Sequence, residues 1–158
     1  MTTIRYAVMA ELTACSEVLR AAFHDFVNSL GRDLSDQSFS GLNSAISESR
    51  VLVGLHSRAI LGVLVYSKLN DCLNMDYLAV GPSAQGKGVG SALMRALEVE
   101  AFKHSMVAIE LNTVEFMAEL VEMYIRRGFT VIRKGPPTHT LDSFVRVYMK
   151  KSLDFCER

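Results

Sequence analysis

Hydrophobic and polar positions change period several times along the chain, and each change predicts an element. Ile4, Tyr6 and Val8 alternate as in a strand. Val18, Leu19, Ala22, Phe23, Phe26 and Val27 then recur at helical spacing, and residues 38–48 read as a second, shorter helix. Residues 51–55 and 60–66 are apolar, β-branched runs separated by His56, Ser57, Arg58 and Ala59, which predicts a hairpin. Residues 73–80 form another strand. From Gly88 the period turns helical, with Val89, Leu93, Ala96, Leu97 and Ala101 on one face. Residues 106–111 return to strand. Residues 116–127 are helical, with Phe116, Leu120 and Tyr124 in line, and Gly128 ends that helix. Residues 131–133 and 144–150 read as two final strands around a loop holding Pro136 and Pro137.

The order β-α-α-β-β-β-α-β-α-β-β predicts an α/β fold of the α+β, mixed-sheet kind. Three strands follow one another directly between residues 51 and 80, which excludes a simple doubly wound parallel sheet. No linker, repeat or low-complexity tract interrupts the 158 residues, so one domain over 1–158 is expected. At that length roughly 68–70% of the unfolded surface is buried, enough for a core without metal or disulfide staples.

Composition changes the picture only by exclusion. Hydrophobic residues at 49% and charged ones at 22% exclude an intrinsically disordered chain. Lys+Arg and Asp+Glu both number 17, so net charge supplies no reason to expect a nucleic acid or an anionic membrane as partner. Cys15, Cys72 and Cys156 lie far apart, with no zinc-like spacing and no even disulfide framework; reduced thiols in a cytoplasmic protein are the expectation, and no metal is called for. The N-terminus carries Glu11 early and lacks a long apolar run, so neither a signal peptide nor a membrane span is expected.

The chemistry concentrates in Asp76-Tyr77-Leu78-Ala79-Val80-Gly81-Pro82-Ser83-Ala84-Gln85-Gly86-Lys87-Gly88-Val89-Gly90-Ser91. A strand runs into a glycine-dense turn and an amphipathic helix begins at once. Glycines let backbone approach a ligand, and the first helical turn offers N–H donors and a positive dipole end, a site for phosphate or pyrophosphate. Lys87 adds a charge at the rim. The dinucleotide fingerprint GxGxxG fails, because its sixth position from Gly86 is Ser91. The nucleotide-triphosphate loop GxxxxGK[ST] fits from Gly81 to Lys87 but then meets Gly88, without the hydroxyl that holds Mg²⁺. The turn Q/R-x-x-G-x-G/A is matched in full by Gln85, Gly88 and Gly90; a tight strand–helix turn serving packing alone is the bland alternative.

With "MYIRRGF" at 123–129, about thirty residues further on, and with the order of elements, the chain resembles the GNAT superfamily of N-acetyltransferases over nearly its whole length. The resemblance implies a splayed central sheet and transfer of an acetyl group from acetyl-CoA to a primary amine in a ternary complex, without a covalent enzyme intermediate. It implies that backbone groups of Leu78, Ala79 and Val80 bind pantetheine, one N–H polarising the thioester carbonyl, while amides of Gly86, Lys87, Gly88, Val89, Gly90 and Ser91 wrap the pyrophosphate. Gln85 holds the first motif position. Tyr124 matches the family tyrosine that protonates the departing CoA thiolate; a core tyrosine is the other reading.

The general base stays open between Asp76, two residues before the acetyl-binding amides, and Glu110 on the next strand. Each also reads as a solvent-facing acid. Asn74, Asp76, Leu78 and Val80 share one strand face, Leu73, Met75 and Tyr77 the other. The chain departs from the family where relatives carry Asn seven residues before the tyrosine: here stands Met117, with Asn112 and Thr113 earlier. Acceptor selectivity in such enzymes comes from the first two helices and the last loop, here Phe23, His24, Asp25, Phe26, Arg32, Asp33, Pro136, Pro137, His139 and Asp142, which identify no acceptor. Relatives are often dimers, which leaves a homodimer open. A non-catalytic acyl-CoA-binding module and a nucleotide binder are the competing classes.

Overall fold

The computed structural model describes residues 2–29, 41–138 and 144–153, with the backbone alone over 25–29. The elements run β1 (Thr3–Tyr6), α1 (Leu12–Ser29), α2 (Leu42–Ser47), β2 (Val51–His56), β3 (Ala59–Leu69), β4 (Cys72–Val80), α3 (Val89–Lys103), β5 (Ala108–Val114), α4 (Ala118–Arg126), β6 (Thr130–Gly135) and β7 (Arg146–Ser152). Among the described residues seven strands form one sheet in the order β1-β2-β3-β4-β5-β7-β6. β4 and β5 pair in parallel and the β1–β2, β2–β3, β5–β7 and β6–β7 ladders are antiparallel. This is the mixed α/β sheet and element order that the periodicity predicts.

The chain divides into two compact units. The first is residues 1–67 with 76–99, the second 68–75 with 100–158, so the boundary crosses β4 between Met75 and Asp76.

In the first unit β2 and β3 form its hydrophobic centre. Val51–Leu55 and Gly62–Tyr66 are buried without interruption, as strands covered on both faces must be. On one face Val51, Val53, Leu55, Val63, Val65 and Ala79 cluster with Cys15 and Leu19 of α1 and Leu42, Ala45 and Ile46 of α2. On the other face α3 lays Val89 and Leu93 over Gly54 and Gly62. The hairpin turns through Ser57 and Arg58, both at positive φ (51° and 72°), the two-residue geometry whose twist suits adjacent strands. Along Asp76–Val80 of β4, Ala79 is buried and Leu78 and Val80 are half-buried, while Asp76 and Tyr77, on opposite faces, are both exposed.

In the second unit β5 is central, with Cys72, Leu73 and Asn74 of β4 opposite Ala108, Ile109 and Glu110, and β7 on its other side. Two starts differ from the periodicity for reasons of packing. β5 begins at Ala108 rather than 106, because α3 closes with Ser105 at φ 54° and Met106 N–H donating to Ala101 O at 2.9 Å. α4 begins at Ala118 rather than 116: Met117 sits at φ −85°, ψ 60°, outside the helix, and Phe116 leaves the Leu120–Tyr124 face to meet Phe144 edge-on at 5.3 Å. β6 extends to 130–135, while β7 runs over 146–152 rather than 144–150, with Phe144 and Val145 outside it. Residues 38–40 of the second helix, with Arg32, Asp33, His139, Asp142 and Cys156, lie outside the described residues, as do the side chains of Asp25 and Phe26.

Candidate active site

The glycine-dense segment occupies the first unit and is held at each end. Val80 ends β4; Gly81 N–H then donates to Leu61 O of β3 at 2.8 Å, and Pro82–Ala84 make one 3-10 turn closed by Ala84 N–H to Gly81 O at 2.9 Å. Gln85 Nε2 donates back to Val80 O at 3.3 Å, bridging the loop's base. Gly86 and Gly88 take φ +79° and +83°, which L side chains rarely adopt, so both positions require glycine. A Cβ at either would meet nothing within 4 Å. Ala92 N–H to Gly88 O, 3.0 Å, opens α3. Gln85, Gly86, Lys87 and Gly88 are exposed, and Val89 drops into the core. An open, positive-φ turn at a helix N-terminus is a cradle for an anion, since amides of the first turn precede the helix's own hydrogen bonds. The residues present therefore fit a pyrophosphate, and Gly90, 3.5 Å from Val80 Cγ2 at its would-be Cβ, keeps the first turn close to the end of β4.

Asp76 accepts a hydrogen bond from Ser67 Oγ at 3.0 Å and is exposed, on the β4 face it shares with Leu78 and Val80. Tyr77 projects to the opposite face and meets Phe23 of α1 edge-on, centroids 6.1 Å apart; burial pushes its phenol above the usual value, and the Asp76 charge adds to that. His24 is exposed.

In the second unit, Tyr124 is 6% exposed near the end of α4. Burial pushes its phenol up to about 12, partly offset by the positive charge of Arg127. The glycine-phenylalanine sequence after it has a geometric reason. Gly128, at φ +98°, donates its N–H to Ile125 O at 3.0 Å, and Phe129 N–H donates to Tyr124 O at 3.1 Å. Those two bonds define a Schellman helix end, and the ring contact between Phe129 and Tyr124 is its apolar clasp. Glu110 is half-buried and ion-paired with Lys150 at 3.8 Å. Asn112 is exposed and Thr113 half-buried on β5. Arg133 stacks on the Tyr148 ring at 3.6 Å, and Tyr148 Oη donates to Pro136 O, which ties the start of the last loop to β7.

Thus Asp76, Leu78, Ala79, Val80 and Gln85–Ser91 belong to one unit, and Glu110 and Tyr124 to the other. Sequence reasoning passed over Leu61, Gly54 and Gly62, which seat the loop and helix, and Ser67 and Lys150, which hold the two carboxylates. The glycines had a signal: an isolated glycine inside a β-branched strand marks close approach of another element. Ser67 and Lys150 had none.

The Acetyltransferase (GNAT) family profile matches residues 13–129. The chain therefore belongs to the GNAT acetyltransferase family. Its fold is similar to Ard1 from Thermoplasma volcanium (TM-score 0.77, 22% identity, covering 97% of this chain and 98% of that one). It is also similar to the ribosomal-protein-S18-alanine N-acetyltransferase from Escherichia coli (TM-score 0.76, 19% identity, 98% and 96% covered). A third similar structure is the PaiA N-acetyltransferase from Thermoplasma acidophilum in complex with coenzyme A (TM-score 0.76, 16% identity, 97% and 99% covered). Among the described residues no helix is long and apolar enough to cross a membrane.

Proposed function

We propose that this protein is an N-acetyltransferase that uses acetyl-CoA to acetylate a primary amine, with residues 1–158 as a single acetyltransferase domain. The observation that carries the reading is the turn at Gln85–Gly88, exposed and open above two obligatory glycines at the start of α3. Family membership and the coenzyme A complex of the similar PaiA enzyme support the same ligand.

Amides of Gly86, Lys87, Gly88, Val89, Gly90 and Ser91 would hold the pyrophosphate, with the Lys87 ammonium at the rim. Backbone groups of Leu78, Ala79 and Val80 would bind pantetheine. One N–H there would stabilise the developing oxyanion, a role whose loss costs about 10²–10³ in rate. The thioester supplies an activated acyl carbon when bound. Tyr124 stays protonated across the physiological range and donates its proton toward the leaving sulfur; the burial that raises a phenol also raises a thiolate's proton affinity. Asp76 or Glu110 takes the proton of the acceptor amine. Of the two, Asp76 is the preferred base, because it stands two residues before the acetyl-binding backbone and is exposed, whereas the Lys150 ammonium engages Glu110 and favours its charged form.

A thermal-shift titration with acetyl-CoA, beside ATP–Mg²⁺, tests the reading. Acetyl-CoA at 100 times its Kd stabilises by about 2.7 kcal/mol, a shift of several degrees. A shift with ATP–Mg²⁺ alone would overturn the proposal. Binding of acetyl-CoA without turnover on a broad amine panel would reduce the protein to a CoA-binding module.

A further inference from the structure

Both ends of the loop that carries Gln85–Gly88 rest on consecutive residues of β3. At its start Gly81 N–H donates to Leu61 O at 2.8 Å. At its end Val89, the first residue of α3, lies over Gly62. A Cβ on Gly62 would stand 2.7 Å from Val89 Cγ1, 3.0 Å from Leu93 Cδ1 and 3.3 Å from Ala79 O. Gly54 pairs with Gly62 across the β2–β3 ladder, and a Cβ there would stand 2.9 Å from the same Val89 Cγ1. Two facing glycines thus leave a notch in the sheet that one methyl group fills. Val89 is 2% exposed and Leu93 fully buried, so neither has open space to retreat into.

We infer that the Gly54–Gly62 notch is a positioning device for the acyl donor: it sets how closely the first turn of α3 approaches the sheet, and with it the placement of the amides that receive the pyrophosphate. The inference rests on the acetyl-CoA reading above. Valine in a helix has essentially one rotamer, so Cγ1 cannot swing aside when a side chain appears beneath it. The helix start must lift instead, and Val89 follows Gly88 directly, so the displacement falls on the anion-binding turn. Hydrogen bonds weaken steeply as geometry departs from the optimum, so a small lift is felt by the diphosphate. Glycine is otherwise a poor strand residue, entropically costly and without a side chain to pack. Its presence at two paired positions of a β-branched core is accounted for by the helix it admits.

The experiment is calorimetric titration of acetyl-CoA into the wild type, Gly62→Ala, Val89→Ala and the Gly62→Ala/Val89→Ala double variant. Backbone amide resonances of Gly88, Val89 and Gly90 are followed in each. Gly62→Ala is expected to weaken acetyl-CoA about tenfold, about 1.4 kcal/mol, and to move those resonances. The double variant, with the colliding methyl removed, regains affinity to within about threefold of the wild type, a coupling typical of residues in contact. General loss of packing predicts the reverse, because removing a second core side chain worsens it. Wild-type affinity in Gly62→Ala, or a double variant no better than the single, would overturn the inference. A wild type that does not bind acetyl-CoA overturns the reading beneath it instead. Should Gly62→Ala fail to fold, Gly54→Ala, with its looser contact, and its double with Val89→Ala are read by the same criteria.

Discussion

The ring of Phe129 meets that of Tyr124 edge-on, centroids 5.6 Å apart and planes at 70°, while the Phe129 amide donates to the Tyr124 carbonyl at 3.1 Å. One residue thus closes the end of α4 and fixes the ring of the proposed acid. The left-handed φ of Gly128 makes both contacts compatible. The tyrosine, glycine and phenylalanine of this signature form a single physical unit.

Removing the Tyr124 hydroxyl separates chemistry from binding. Tyr124→Phe is expected to retain acetyl-CoA affinity and to lose about 10²–10⁴ in kcat, the usual scale for a positioned acid. Steady-state rates with an acceptor found by amine screening, beside calorimetry with acetyl-CoA, check this; wild-type kcat would remove the acid assignment.

Truncating Phe129 leaves a cavity beside that tyrosine. Phe129 is 3% exposed, so Phe129→Ala is expected to destabilise the fold by about 3–5 kcal/mol. Urea denaturation of the two proteins measures it. A loss under about 1 kcal/mol would mean that the helix end does not depend on the ring contact.

Alanine at Gly88 meets no neighbouring atom, so its cost lies in the backbone. At φ +83° an L residue is strained by about 1–2 kcal/mol. Gly88→Ala is expected to lower the unfolding free energy by that amount and to weaken acetyl-CoA more than tenfold, since relief of the strain re-aims the first-turn amides. Unchanged affinity would argue that the turn does not carry the pyrophosphate.

The two carboxylates give opposite expectations. Asp76→Asn should lower kcat/KM and remove the acidic limb of its pH profile, whereas Glu110→Gln should chiefly disturb the ion pair with Lys150 and leave that limb in place. Profiles of both variants with one acceptor decide between them, and the converse result would transfer the base to Glu110.

Stability should fall at both ends of the pH scale, for groups that can be named. Glu11 is held at about 2, below its ordinary 4.5, chiefly by the bidentate Arg5 pair with help from the Val8 amide and against some desolvation. A depressed acid stabilises the fold above its unfolded value, so this contribution is complete above pH 4.5 and lost as pH falls to 2. Its size is modest because Arg5 is well exposed. Cys15, raised from 9.0 to about 11 by burial, and Tyr124, raised from 10.0 to about 12, act at the other end. Raised groups stabilise below their unfolded values, so this part is complete below pH 9 and lost between 9 and 12. Melting temperature against pH should flatten between 4.5 and 2 in Glu11→Gln, and between 10 and 12 in Tyr124→Phe.

Much of this was legible from local pattern. Period-two and helical spacing gave the order of the strands and α-helices among the described residues, because side-chain direction along a strand or helix depends only on the chain itself. Gly86 and Gly88 marked the turn, since positive φ demands glycine whatever packs around it. The start of α4 was misplaced for the opposite reason: Phe116 fits a helical period, but its contact with Phe144, just before β7 and 28 residues later in the chain, draws it out of the helix.

What the sequence determined by itself is therefore the element order, the mixed sheet and the place of one glycine turn between a strand and a helix, all consequences of short-range spacing. Tertiary structure alone decided which partners the candidate residues have. Leu61 and Gly62 anchor the loop from β3, Ser67 holds Asp76, Lys150 engages Glu110, and burial shifts Tyr124. Those relations join residues far apart in the chain, and side-chain contact, charge pairing and desolvation exist only once folding has brought them together.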